Sequence, residues 1–232
     1  MKPIFPSAGI LSFVLLAPCA AMFLLWLSAV EVTPTEQDIA AIHTVFGDLS
    51  CAGLDDFDAQ VVCIKALQVN LKARIPNMHC ADRGVLIEPS DFIERNYGCC
   101  FDRARLLEKT LTYMGYEVRR LALFDATKYK KLSLIIPGVT SHATLEVLTK
   151  KGWMGVDSNE LFVLMDIHHN PLTYRDIPVS KNDLLEQPSP SAFYQTELIG
   201  VYGMYSRHGL SHKPMVLAPE INWGQFFKYN FK

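Results

Sequence analysis

From Gly9 to Val30 the chain reads GILSFVLLAPCAAMFLLWLSAV, without one charged residue. This run limits the possible folds more than any other feature, because about 20 apolar residues at ~1.5 Å each cross the ~30 Å hydrocarbon layer of a bilayer. It has no polar side to turn to water, so it does not suit an amphipathic helix packed on a domain surface. A cleaved signal peptide is the competing reading. Its apolar region is shorter, roughly 7–15 residues, and ends in a small-x-small site that Leu27-Ser28-Ala29 matches poorly. The run predicts a short tail over residues 1–8 and a single membrane-spanning helix over 9–30. Lys2 and the terminal amine precede it, while Glu31, Glu36 and Asp38 follow. The positive-inside bias then places the bulk of the chain on the extracytoplasmic side, with Trp26 suited to the headgroup zone.

Half of the residues are apolar and a fifth are charged, which excludes a disordered chain, and 232 residues leave room for one domain beside the anchor. With Lys2 set aside, 21 of the 22 Lys+Arg face 24 Asp+Glu, a charge of about −3 that gives no attraction to nucleic acid. No block of like charge, low-complexity tract or internal repeat is present, against a solenoid or an RNA-binding arm. Residues 31–57 read as a polar juxtamembrane segment with a short helix opened by Thr35, and 58–232 as the domain.

Within that domain the periodicity changes once. Val61, Val62, Ile64, Ala66, Leu67, Val69 and Leu71 predict a largely buried helix from Asp58 to about Ala73, ending before Ile75-Pro76. A helix start follows at Pro89-Ser90, then a turn at Asn96-Tyr97-Gly98. Ala104, Leu106, Leu107, Leu111 and Met114 recur at helical spacing from Phe101 to Met114, with Gly115 as the stop. Beyond it the pattern reads as short strands at 116–124, 142–149, 153–156 and 161–164. Helices followed by an antiparallel sheet make an α+β fold. Pro188 to Lys232, rich in Pro, Gly and aromatics, reads as a mostly irregular segment wrapping the sheet.

Chemistry concentrates at Gly98-Cys99-Cys100-Phe101-Asp102, just before the clearest helix. A cysteine there sits among unpaired backbone N–H groups at the positive end of the helix dipole, which stabilise its thiolate and can also hold an oxyanion. A thiolate nucleophile needs a base and a group that orients the base. His142 heads one alternating strand, and Asp157 ends the next, with a turn at Lys150-Lys151 between them. In that hairpin position 142 faces 159, so His142 and Asp157 could meet diagonally. Buried core thiols and an Asp-Ser-Asn turn are the bland readings of the same residues.

Taken in order, Gly-x-Cys-x-Asp opening a helix, His-Ala-x-x-Glu-Val on a strand and Gly-Trp-x-x-x-Asp on the next resemble the three signatures of the transglutaminase-like superfamily. The match covers residues 98–157, about a quarter of the chain. The resemblance implies a papain/transglutaminase-like core in which Cys100, His142 and Asp157 act as nucleophile, base and orienter. It further implies hydrolysis or acyl transfer at a peptide or protein amide, with hydrolysis favoured; the sequence itself carries no metal or cofactor motif. A non-catalytic interaction module that keeps the fold is the alternative, and an arylamine N-acetyltransferase a third. Outside the triad, His168-His169 beside Asp166 reads as a loop rather than a metal site, and Asp102 as a helix cap. Tyr202, Tyr205, Arg207, His208 and Trp223 could border a substrate groove.

On the oxidising side of a membrane the domain holds Cys51, Cys63, Cys80, Cys99 and Cys100. With the nucleophile set aside, four cysteines allow three pairings. Cys51–Cys63 with Cys80–Cys99 is preferred, because the second bridge would keep Cys99 from competing with Cys100.

Overall fold

The computed structural model describes residues 8–78, 88–177, 192–206, 213 and 215–231. Its first helix, α1 (Ala8–Leu27), has no charged residue. The chain leaves it at Ser28, whose hydroxyl turns back to the Leu24 carbonyl at 2.8 Å, and Ala29 then bridges to Ile221. The helix expected to run to Val30 therefore stops three residues sooner, where the backbone is taken up by pairing with the C-terminal segment. Side chains of α1 are described from Pro18 onward, and among the described residues no helix is long and apolar enough to cross a membrane.

Capping defines the next helices. Thr35 accepts from Asp38 N at 3.2 Å while its own N–H donates to the Asp38 carboxylate at 2.9 Å, a reciprocal box that opens α2 (Glu36–Phe46). Asp56 caps α3 (Phe57–Arg74) through Ala59 N at 2.8 Å, and a Cys51–Cys63 disulfide ties the preceding loop to it. The partner expected for Cys99, Cys80, lies outside the described residues. A 3-10 turn at Pro89–Asp91 leads into α4 (Phe92–Arg95), which Asn96 ends in the left-handed region at φ 56°. The central helix, α5 (Cys100–Tyr113), is followed by Gly115 at φ 90°.

Four antiparallel strands follow: β1 (Val118–Asp125), β2 (Ser141–Thr149), β3 (Gly152–Val156) and β4 (Leu198–Tyr202), in the order β3-β2-β1-β4. Residues 161–164, expected as a strand, are not one but run antiparallel beside β3: Val163 bridges to Val156, and Leu164 N–H donates to the Gly155 carbonyl at 2.8 Å. Gly155 allows that approach, since a Cβ there would stand 2.5 Å from Leu164 Cδ1. The C-terminal segment, expected to be mostly irregular, also supplies β4 and α6 (Trp223–Asn230). Local composition could not reveal that Leu198–Tyr202 pairs with β1, because the partner is far away in sequence.

One face of the sheet, with Leu145, Val147, Met154 and Val156, packs under α2, α3 and α5. The opposite face is covered by Phe162, Leu164, Tyr174, Tyr194 and Tyr229. Ile42, Val45 and Phe46 of α2 belong to the first core, so the packed unit takes in part of the segment 31–57.

Charged groups on α5 are buried along with its apolar ones. Lys109 Nζ lies 2.7 Å from the Asp38 carboxylate and 2.6 Å from Glu88. Breaking a buried pair strands the remaining charge, at a cost of about 3–5 kcal/mol. Lys109→Met should destabilise the domain by that order in urea unfolding in detergent, and Asp38→Asn in the same chain should recover part of the loss.

Candidate active site

Gly98 fixes where α5 begins. Its N–H donates to the Pro76 carbonyl at 3.2 Å and its carbonyl accepts from Met78 N at 3.1 Å, which ties the chain after α3 to the approach of α5. A side chain at 98 would meet Phe92 Cε1 at 2.8 Å and Asp102 Cβ at 2.9 Å, so only glycine fits. Asp102, four residues on, accepts the N–H of Cys99 at 3.0 Å. Cys99 is thereby the N-cap and Cys100 the first helical residue, at the positive end of the dipole. This accounts for the Gly-x-Cys-x-Asp spacing: the glycine gives room, and the aspartate starts the helix. Cys99 is held in a disulfide, whereas Cys100 is a free, partly exposed thiol.

The β2–β3 hairpin brings the other two residues in. Leu145 pairs with Val156 and Thr149 with Gly152, so continuing the ladder places 142 opposite 159. The diagonal neighbour of His142 is Asp157, and His142 Nε2 lies 2.8 Å from Asp157 Oδ2. The Cys100 thiol stands beside the same ring, on the cleft that both residues line. Asp157 Oδ1 accepts the backbone N–H groups of Asn159 at 2.6 Å and Glu160 at 2.8 Å, and Tyr194 Oη donates to Oδ2. Around them, Ser158 Oγ donates to the Ala143 carbonyl at 2.7 Å and Gln68 Nε2 of α3 to the Asp157 carbonyl at 2.8 Å. The structure thus joins His142 to Asp157 by a hydrogen bond and sets Cys100 beside them on the same cleft.

Burial alone would lower the His142 pKa, but the charge and hydrogen bond of Asp157, with smaller contributions from Cys100, outweigh it and carry the pKa up to about 10. For Cys100, burial pushes the thiol pKa up. The hydrogen bond and charge of His142, the Ala143 backbone N–H and the Arg120 charge overcome this and leave it lowered. Burial likewise acts against the Asp157 carboxylate, and His142, Tyr194 and the Glu160 N–H still hold its pKa below the ordinary value. The arrangement favours a thiolate beside an imidazolium, the reactive form of a cysteine nucleophile.

A cleft of about 200 Å³ opens on Cys100 and His142, lined also by Asn77, Ser141, Asn159 and Phe193. Phe193 and Tyr194 set their rings edge-on to His142, with centroids 5.8 and 5.9 Å away. Neither aromatic was legible from the sequence, since nothing local marks Phe193-Tyr194 as a cap on a histidine about 50 residues earlier. The residues expected to border the groove lie elsewhere. Tyr202 and Tyr205 are buried and donate to Glu146 and Glu108, Trp223 sits at the foot of α1, and Arg207 and His208 lie outside the described residues. Asp166 accepts the backbone N–H groups of His168 and Asn170, both at 2.8 Å, so the His168-His169 loop is a turn closed by its own aspartate.

No protein-family model matches the chain, and no curated protein does. Among solved structures, a candidate cysteine protease from Cytophaga hutchinsonii is similar over 74% of this chain and 51% of its own, with 12% identity and a TM-score of 0.36. The chain spans about half the length of that protein, and at such a score the likeness carries no weight for function.

Because the Cys100 pKa is lowered, its thiolate persists below the ordinary thiol range and is lost only as pH falls through the depressed value. Carboxymethylation of Cys100, followed by peptide mass spectrometry, should therefore show its inflection below ~8.5, and His142→Ala should move it back up. An ordinary inflection in the parent protein would contradict the ion pair.

Proposed function

We propose that the chain is a membrane-anchored cysteine enzyme that cleaves a peptide or protein amide through Cys100, His142 and Asp157. One observation carries this reading: a free thiol at a helix N-terminus shares a cleft with a buried histidine that a fully desolvated aspartate holds at 2.8 Å. The Cys100 thiolate attacks the carbonyl carbon, and the carbonyl electron pair moves to oxygen. The N–H groups opening α5 face that developing charge. Collapse breaks the C–N bond while the His142 imidazolium gives its proton to the leaving amine. Water then adds to the thioester with His142 taking a proton, and the acid leaves as the thiolate is restored. An amine in place of water would make the same site a transferase. Asp157 keeps the imidazole in one orientation and stabilises its cation.

Anchoring rests on the uncharged sequence run from Gly9 to Val30, and an extracytoplasmic domain on the Cys51–Cys63 bridge, which suits an oxidising compartment.

Cys100→Ala should abolish turnover of a model amide, and His142→Ala should lower it by ~10²–10⁴-fold with a milder loss for Asp157→Ala, all with unchanged circular dichroism. Parent rates in both of the latter variants would sink the triad. Membranes washed in carbonate should retain the protein with Met1 or Lys2 as its first residue. A soluble product beginning near Val30 would point to a signal peptide instead.

A further inference from the structure

The C-terminal helix carries an outward stripe for which the chemistry above has no use. Its inner side is fastened to the sheet. Gln225 accepts Arg120 N–H at 2.8 Å and donates to the Val118 carbonyl at 3.1 Å, Asn230 brackets the Tyr202 backbone at 3.0 and 2.9 Å, and Tyr229 is buried. The outer side is aromatic: Trp223, Phe227 and Phe231 stand four residues apart and so share one line along the surface. Their rings stack in series, with centroids 5.7 and 6.0 Å apart. Phe227 is 58% exposed and Phe231 69%.

That stripe begins where α1 ends. The Trp223 indole N–H lies 3.1 Å from the Leu25 carbonyl and 3.0 Å from Ser28 Oγ, and Ile221 N–H donates to the Ser28 carbonyl at 2.7 Å. The end of α1 in turn indicates the surrounding medium. Six consecutive residues, Met22 to Leu27, are each between 39% and 71% exposed. At about 100° per residue they point in every direction around the axis, whereas a protein groove would cover one side. Apolar surface facing all ways calls for a fluid apolar phase, and aromatic side chains collect at the boundary of that phase with water.

We propose that α6 is an interfacial element: its Trp223, Phe227 and Phe231 stripe lies in the headgroup–acyl boundary of the bilayer that α1 enters, and fixes how the domain sits on the membrane. This rests on the anchor reading of α1. Binding here is apolar rather than charge-driven, because α6 holds no acidic residue and its Lys228 is paired with Glu117 at 3.2 Å. A zwitterionic membrane therefore suffices.

The full chain is reconstituted in phosphatidylcholine vesicles containing lipid brominated high on the acyl chain, and tryptophan emission is read from two reporters. W26F/W153F leaves Trp223, and W153F/W223F leaves Trp26. Both are expected to lose emission, with Trp223 blue-shifted. Placing Phe227→Ser and Phe231→Ser on the first reporter, at positions too exposed to matter for folding, should remove most of the Trp223 quenching. The same changes on the second should leave Trp26 quenched. If Trp26 is quenched but Trp223 is indifferent to bromine, or the serine pair leaves Trp223 quenching unchanged, interfacial docking is overturned and the stripe belongs to a protein partner. An unquenched Trp26 overturns the anchor itself; if Trp223 then also stays bright, docking falls with it.

Discussion

The domain is organised around the burial of α5 with its charges. Arg103, Arg105, Glu108 and Lys109 are each no more than 2% exposed, and an unpaired charge at such depth costs several kcal/mol. Every segment around the helix therefore supplies a partner. The turn after β3 offers Asn159 to Arg103, at 3.0 Å. Glu88 and the Glu31 carbonyl take Arg105, Asp38 of α2 takes Lys109, and Arg120 of β1 and Tyr205 beyond β4 meet Glu108. This network sets where the N-terminal segment, the sheet and the tail lie relative to Cys100 at the head of the helix. Arg120 links it to chemistry, since the same guanidinium donates to the Phe101 carbonyl at 2.7 Å and lowers the Cys100 pKa.

The sheet contributes through its two-residue alternation. Ala143, Leu145 and Val147 of β2 are buried apolar residues, and the last two pack beneath the helices. Thr144 and Glu146 point the other way, to Tyr174 at 2.6 Å and Tyr202 at 3.2 Å. Glu146 is answered across the strands by Arg119, its register partner, whose guanidinium lies 4.1 Å over the Trp153 ring. The glutamate of His-Ala-x-x-Glu-Val and the half-buried tryptophan of Gly-Trp-x-x-x-Asp therefore meet around one guanidinium, away from the reacting atoms. Through Arg119 of β1 they link three neighbouring strands on the face away from the helices.

Much of the candidate site was legible because it is built from local geometry. Gly98 and Asp102 mark a helix start by spacing, and a two-residue turn fixes which residues face each other across the hairpin. The missed parts are those that long-range contacts create. Leu198–Tyr202 becomes a strand only because β1 offers an open edge, and 161–164 pairs with β3 through a single bridge, with the Leu164 side chain over Gly155. Phe193 and Tyr194 reach His142 only after the tail has closed over the sheet.

The sequence by itself determined the α+β order of elements, the helix that opens at Cys100, the diagonal approach of His142 and Asp157, and the uncharged N-terminal run, because each follows from periodicity, capping or turn geometry within a few residues. Tertiary structure alone decided the partners of the buried charges on α5, the aromatic cover on His142, and the docking of α6 at the foot of α1. Those depend on which distant groups meet once water is excluded, and no local pattern encodes that.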